Sequence, residues 1–212
     1  MIDHAATYKK FYKFILAHLI LLSIALGLTM SFHSSIPTDN NWVPFIGRFH
    51  ILLLHMPIGI FSAHALIYGI SLFKKHEIIQ MIVDLTLLLV TTSAVAAAIL
   101  GFLMGSMGGY DAETLADHQR LGSLFCIALI LSSFFRFSCY RKPEKGRSMK
   151  MELIFTIIAG LLLPLAGHEG GNLTHGKTFL TEYAPWKTGM NEENLELIKD
   201  PDLANKVQTI FK

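Results

Sequence analysis

Five of the chain's histidines fall in three short stretches: Arg48-Phe49-His50 with His55, Asp117-His118-Gln119-Arg120, and the decapeptide Gly167-His168-Glu169-Gly170-Gly171-Asn172-Leu173-Thr174-His175-Gly176. Imidazole is the usual axial ligand of a b-type haem and a common ligand of zinc, copper or iron. Arg48 and Arg120 stand beside these histidines and suit haem propionates, because a guanidinium grips a carboxylate with paired hydrogen bonds. A ligating imidazole needs its other nitrogen fixed by an acceptor, and Asp111, Asp117 and Glu169 are the nearby carboxylates. His50 and His55 diverge by about 140° around one helix and cannot clamp both faces of one planar ring. Ligand pairs must therefore join different helices: His168 with His50 or His55 first, His118 with His175 as the alternative or second pair. Glycines at 105, 108, 109, 167, 170 and 171 allow such a ring close to the backbone. The same five histidines are the candidate ligands of a non-haem copper, zinc or iron site. The plainest alternative is that each is a solvated residue at a helix end.

What positions these residues is a set of apolar runs. The chain is 52% hydrophobic and 16% charged, against roughly 25% charged for a soluble domain. With a mean hydropathy of +0.46 this is the composition of an integral membrane protein. The runs are Phe14 to Phe32, Phe49 to Phe73, Ile78 to Met107, Leu121 to Tyr140, and a shorter one from Leu153 to Ala166. Single runs of this length satisfy their backbone as helices, and the alternation of an outer-membrane barrel is absent. The expectation is an all-α bundle of five transmembrane helices. Residues 1–44 form an N-terminal anchor and connection, 45–186 a four-helix membrane domain, and 187–212 a polar tail. The first run is read as an uncleaved anchor rather than a signal peptide. Pro57 is expected to kink the second helix just past His55.

Lysine and arginine set the orientation. Lys9, Lys10, Lys13, Lys74, Lys75, Arg136, Arg141, Lys142, Lys145, Arg147 and Lys150 all fall on one side, and only Arg48 and Arg120 in the two opposite loops. The expected arrangement is N-terminus inside and C-terminus outside, in a bacterial inner membrane with a periplasmic tail. All five histidines then lie near the outer face. His64, deeper in the second run, either serves a second haem or bonds a neighbouring helix. His18 is expected to be structural, and His4, His33 and His76 solvated flanks. Asp84 is expected at the interface or paired with Lys74 or Lys75. Cys126 and Cys139 are about 20 Å apart along one helix and cannot pair. Without Cys-x-x-Cys-His there is no covalent haem c in these residues. Without a basic stripe interleaved with aromatics there is no case for nucleic acid.

Several motifs carry a resemblance. They are Arg48-Phe49-His50-x-x-Leu53-x-His55-x-Pro57-Ile58-Gly59, Gly108-Gly109-Tyr110-Asp111 with His118-x-x-Leu121-Gly122, and Gly167-His168-x-Gly170-Gly171-x-Leu173-Thr174-His175-Gly176 with Leu180-Thr181-x-Tyr183-Ala184-Pro185. Over residues 45–186 they resemble a bacterial membrane-domain family found ahead of planctomycete-type cytochrome c domains. Asp200-Pro201-Asp202-Leu203 and Val207 to Lys212 are similar to the lead into the haem-binding motif of those cytochromes. The expectation is a cytochrome c module lost or cut off after Lys212. The resemblance implies a redox setting. Three functions follow: a b-type membrane cytochrome exchanging electrons with a periplasmic c-type cytochrome, with quinol as a candidate donor within a larger oxidoreductase; a non-haem metal site; or a cofactor-free anchor for a redox module.

Overall fold

The structure is a computed structural model that describes residues 4–33, 41–74, 76–138, 149–178 and 181. Among them there are only helices: α1 (His4–Phe32), α2 (Trp42–Gly47), α3 (Phe49–Leu53), α4 (His55–Phe73), α5 (Glu77–Gly105), α6 (Ala112–Ser138) and α7 (Met149–His175). With α2 to α4 taken as one interrupted span, five helices are long and apolar enough to cross a membrane, at mean hydropathies of 1.7 to 2.3. The chain is a multi-pass membrane protein. Its outward surface agrees: Phe14, Leu52, Leu66 and Phe73 are exposed, as lipid-facing side chains are. Lys10, Lys74 and Lys150 lie at one end of the bundle, called here the basic end, and His50, His118 and His175 towards the other, the histidine end.

Three boundaries differ from the sequence reading. The second span begins at Trp42, inside what the sequence presents as a turn-rich connection. Pro44 sits in its first turn, where a missing N–H costs nothing. Gly47 lies so close to α5 that a Cβ there would be 2.9 Å from the Met104 amide nitrogen. The fourth span starts at Ala112, because Asp111 accepts from the Thr114 amide at 2.9 Å and caps it. The fifth is not the shortest: α7 runs on through Gly167, Gly170 and Gly171 and ends only where Gly176 turns to φ +87°. The second span is interrupted at Arg48 and at Leu54, ahead of the position just past His55 where the sequence places the Pro57 kink, and Pro57 is buried inside α4.

The core joins α5, α6 and α7 through Leu87, Val90, Ala94, Leu129 and Ala159, and α4 and α1 add Phe61 and Leu26. Hydroxyl pairs tie the helices where lipid offers no partner: Thr91 with Ser133 and Ser132 with Thr156, both at 2.9 Å. His18 bonds Thr92 at 2.9 Å, a structural role as expected. His64 is fully buried and bonds Thr86 of α5 at 3.0 Å, the second of its two expected roles. Two flanking histidines are not merely solvated. His33 donates to the Met30 carbonyl and packs 4.9 Å from Phe102, and His76 accepts from the Ile78 amide at the start of α5.

Towards the basic end, Arg136 is fully buried. Its Nε donates to Asp84 of α5, its Nη1 to Glu152 of α7 at 2.5 Å, and its Nη2 to the Gln80 carbonyl at 2.9 Å. Asp84, expected at the interface or beside Lys74 or Lys75, accepts here from a guanidinium on another span. A carboxylate and a guanidinium inside a bundle must compensate one another, and these three side chains tie three spans together. The polar tail, 187–212, lies outside the described residues.

Candidate functional site

A cavity of about 550 Å³ opens in the histidine end between α3, α4, α5, α6 and α7. Its walls are mostly apolar, and Pro57, Ala97, Phe125 and Leu163 are among them. Two imidazoles face it from different spans, His50 on α3 and His118 on α6. Their ring centroids are 6.3 Å apart and their planes stand at 78°.

Both rings are held in the same way. His50 Nδ1 lies 2.8 Å from the carbonyl oxygen of Ala97 on α5. His118 Nδ1 lies 2.9 Å from the carbonyl oxygen of Ala166 on α7. A carbonyl only accepts, so each Nδ1 carries the hydrogen and donates it, which leaves the lone pair on each Nε2. One turn beyond each carbonyl stands a glycine. A Cβ on Gly101 would lie 3.0 Å from His50 Cε1, and one on Gly170 would lie 3.0 Å from His118 Cε1. Carbonyl at i and glycine at i+4 therefore form a seat for one imidazole on α5 and repeat it on α7. Beside the seats, a Cβ on Gly122, Gly167 or Gly171 would meet open space.

The other candidates are placed differently. His175 is at the rim of the cavity, exposed. His168 is exposed and off the wall: α7 turns Leu163, Gly167, Gly170 and Thr174 to the cavity, and one residue past Gly167 lies about 100° round the helix. His55 is exposed and donates to the Ile51 carbonyl of the preceding turn at 3.0 Å. The pair brought together is thus His50 with His118, rather than His168 with a second-span histidine or His118 with His175. Arg48 and Arg120 are exposed and neither lines this cavity; Arg120 borders a smaller one beside it. None of the three expected carboxylates holds an imidazole. Asp111 caps α6, Glu169 accepts from Asn172 at 3.2 Å, and Asp117 is exposed. Backbone carbonyls take that role, since they orient a ring without placing a net charge at membrane depth.

The number of ligands decides which cofactor fits. Among the described residues no three His, Cys, Asp or Glu side chains converge as a metal site does. Zinc and copper centres take three or four protein ligands. A haem iron brings four nitrogens of its own and needs two from the protein. Metal–imidazole bonds of about 2 Å on each side, with roughly 1 Å more to each ring centre, separate axial imidazole centroids by about 6 Å. The residues present fit that group. Residue type and spacing point to His50 and His118 among others; Ala97, Gly101 and Ala166 carry no such mark beyond a glycine inside the apolar third run, a signal of close approach. No family model, curated protein or solved structure matches the chain.

Proposed function

We propose that the chain is a membrane electron-transfer protein that binds one haem b in this cavity, where His50 and His118 are the residues that would hold it. The observation that carries the reading is the pair of imidazoles from separate spans, each with Nδ1 tied to a carbonyl and Nε2 left as the nitrogen that would hold iron, with ring centroids 6.3 Å apart. Bound there, the haem supplies a one-electron couple. The protein's own part is to fix both imidazoles, exclude water with apolar walls, and keep charge away from the ring. Glycines at 122, 167 and 171 leave room for the macrocycle along α6 and α7. His175 and Thr174, at the rim, are placed to meet the polar edge of the ring, the role the sequence suggested for Arg48 and Arg120.

Positive-inside asymmetry supports a cavity near the outer face of a bacterial inner membrane with a periplasmic C-terminus. The resemblance to domains that precede cytochrome c modules supports a periplasmic c-type cytochrome as the electron partner. The test is an absorption spectrum of the protein purified after haem-replete expression. A Soret band lost in His50→Ala and His118→Ala and kept in His55→Ala and His168→Ala is the expected result. A wild-type protein without a Soret band sinks the haem reading.

A further inference from the structure

Beside the imidazole cavity lies a second one of about 290 Å³, between the end of α1, α5 and α6. Gln119 and Ser123, one turn apart on α6, line both cavities, as does Phe102. The partition between the two is therefore one layer of side chains. Leu124 and Ile127, on the other flank of the small cavity, are 43% and 40% exposed on an apolar span, so they face lipid. This flank of the cavity is therefore open to a membrane-soluble molecule.

Ser123 says more about that molecule. It is 2% exposed, and its hydroxyl has no hydrogen-bond partner among the described residues, not even the preceding-turn carbonyl that a helical serine ordinarily takes. A buried polar atom left in that state is unfavourable unless a ligand completes it. His33 also borders the cavity. We propose that this second cavity binds the ring of a lipid-soluble quinone. Serine hydroxyl, glutamine amide and imidazole can each donate and accept. That suits a ligand whose oxidised form only accepts hydrogen bonds and whose reduced form donates them; the Arg120 guanidinium, which also borders the cavity, donates only and would serve the oxidised form. Phe102 offers an aromatic wall for the ring, and the volume holds one substituted six-membered ring rather than a second macrocycle. A phospholipid acyl chain is the competing occupant, and it would leave the Ser123 hydroxyl unpaired. The inference rests on the haem proposal for its purpose, since a quinone here would lie one side chain away from the imidazole cavity.

The test uses the full-length protein in lipid nanodiscs, photolabelled with an azido-benzoquinone carrying a short isoprenoid chain and mapped by mass spectrometry. Soret spectra are taken on the same samples. Labelling between Met30 and His33 or between Gln119 and Ile127, at least tenfold reduced by excess unlabelled quinone, is the expected result. Ser123→Ala should weaken it several-fold. Leu124→Trp, changed at a lipid-facing position that leaves the core alone, should block that flank and abolish it. Labelling that quinone does not compete, or that falls elsewhere, overturns the proposal in favour of lipid. Competed labelling in a protein with no Soret band keeps the quinone site and removes the haem reading; a Soret band without competed labelling does the reverse.

Discussion

The imidazole planes of His50 and His118 stand at 78° to one another, and each is held at that angle by a hydrogen bond to a different helix. If these two imidazoles hold a low-spin ferric haem, perpendicular ring planes would leave its iron dxz and dyz orbitals nearly degenerate, whereas parallel planes would separate them. Frozen-solution electron paramagnetic resonance of the haem-loaded protein should therefore show a strongly anisotropic low-spin signal with one large g value. A rhombic signal of the parallel-plane kind would mean that the seats at Ala97 and Ala166 do not fix the rings.

Gly101 and Gly170 provide a test of the seats that separates ring placement from folding. Alanine is favoured over glycine in a helix interior by roughly 0.5–1 kcal/mol. At these two positions, however, the new methyl would press on an imidazole at 3.0 Å. Gly101→Ala and Gly170→Ala are expected to lower haem content several-fold while the cofactor-free protein unfolds at an unchanged or higher temperature. Gly69→Ala, on α4 with open space beside it, is the control and should keep its haem. Full occupancy in both seat variants would show that the rings are free to move.

Much of this arrangement was legible in the residues, and the part that was not has a physical reason. Hydropathy marks five spans because a bilayer demands them, and the histidines gather at one end whichever way the helices are rotated. Which histidines meet depends on that rotation. On α7 the small residues at 167 and 170 set the face turned inward, and His168 falls to the side of it. The same glycines look like a helix stop, yet α7 continues through them to His175, and Gly170 lies against the His118 ring. The carbonyls of Ala97 and Ala166 leave no trace in a sequence, since every residue has one. Asp84 looked like a partner for its near neighbours, but its guanidinium lies 52 residues away on another helix.

Removing that guanidinium should be costly. Arg136 is the cation shared by Asp84 and Glu152, and its side chain and that of Glu152 are each about 1% exposed. Breaking a buried ionic group by deleting one member typically costs about 3–5 kcal/mol, because the remaining charges lose their compensation. Arg136→Met is expected to unfold at lower denaturant and yield poorly. The triple change Arg136→Met, Asp84→Asn, Glu152→Gln should recover much of the loss. A single variant as stable as wild type would show that the group contributes little to the fold.

Asp111 offers a pH-dependent readout at the histidine end. The Thr114 hydroxyl and amide both donate to its carboxylate and hold its pKa below the usual aspartate value; Lys177, 3.9 Å away, pulls the same way more weakly. A carboxylate with a depressed folded pKa contributes stability that is present above its unfolded value and lost as the pH falls through the folded one. The first turn of α6 should therefore stay protected at neutral pH and loosen only below the ordinary aspartate range. Amide hydrogen exchange across Ala112 to Leu115 measures this. Asp111→Ala should show fast exchange at every pH, and Asp111→Asn, which keeps an acceptor, should lose the acid transition but not the cap.

The last prediction concerns which way the bundle faces. Arg136 is internal and so drops out of the charge comparison, but the comparison survives its loss. Lys10, Lys13, Lys74 and Lys150 remain at the basic end, joined in the sequence by Lys9, Lys75, Arg141, Lys142, Lys145 and Arg147. Arg48, Arg120 and Lys177 are the cations at the histidine end outside the final segment. Each lysine or arginine near a span resists translocation, so the expected outcome is a basic end retained in the cytoplasm and an imidazole cavity near the outer face. Alkaline phosphatase inserted after Gly109, where both glycines take positive φ and the chain turns at the surface, should be active. The same enzyme fused after Lys74 should be inactive, and a cytoplasmic reporter at that site should take its place. The opposite pattern would put the cavity on the cytoplasmic side. It would leave the haem seats untouched and exclude a periplasmic cytochrome as the partner that reaches them.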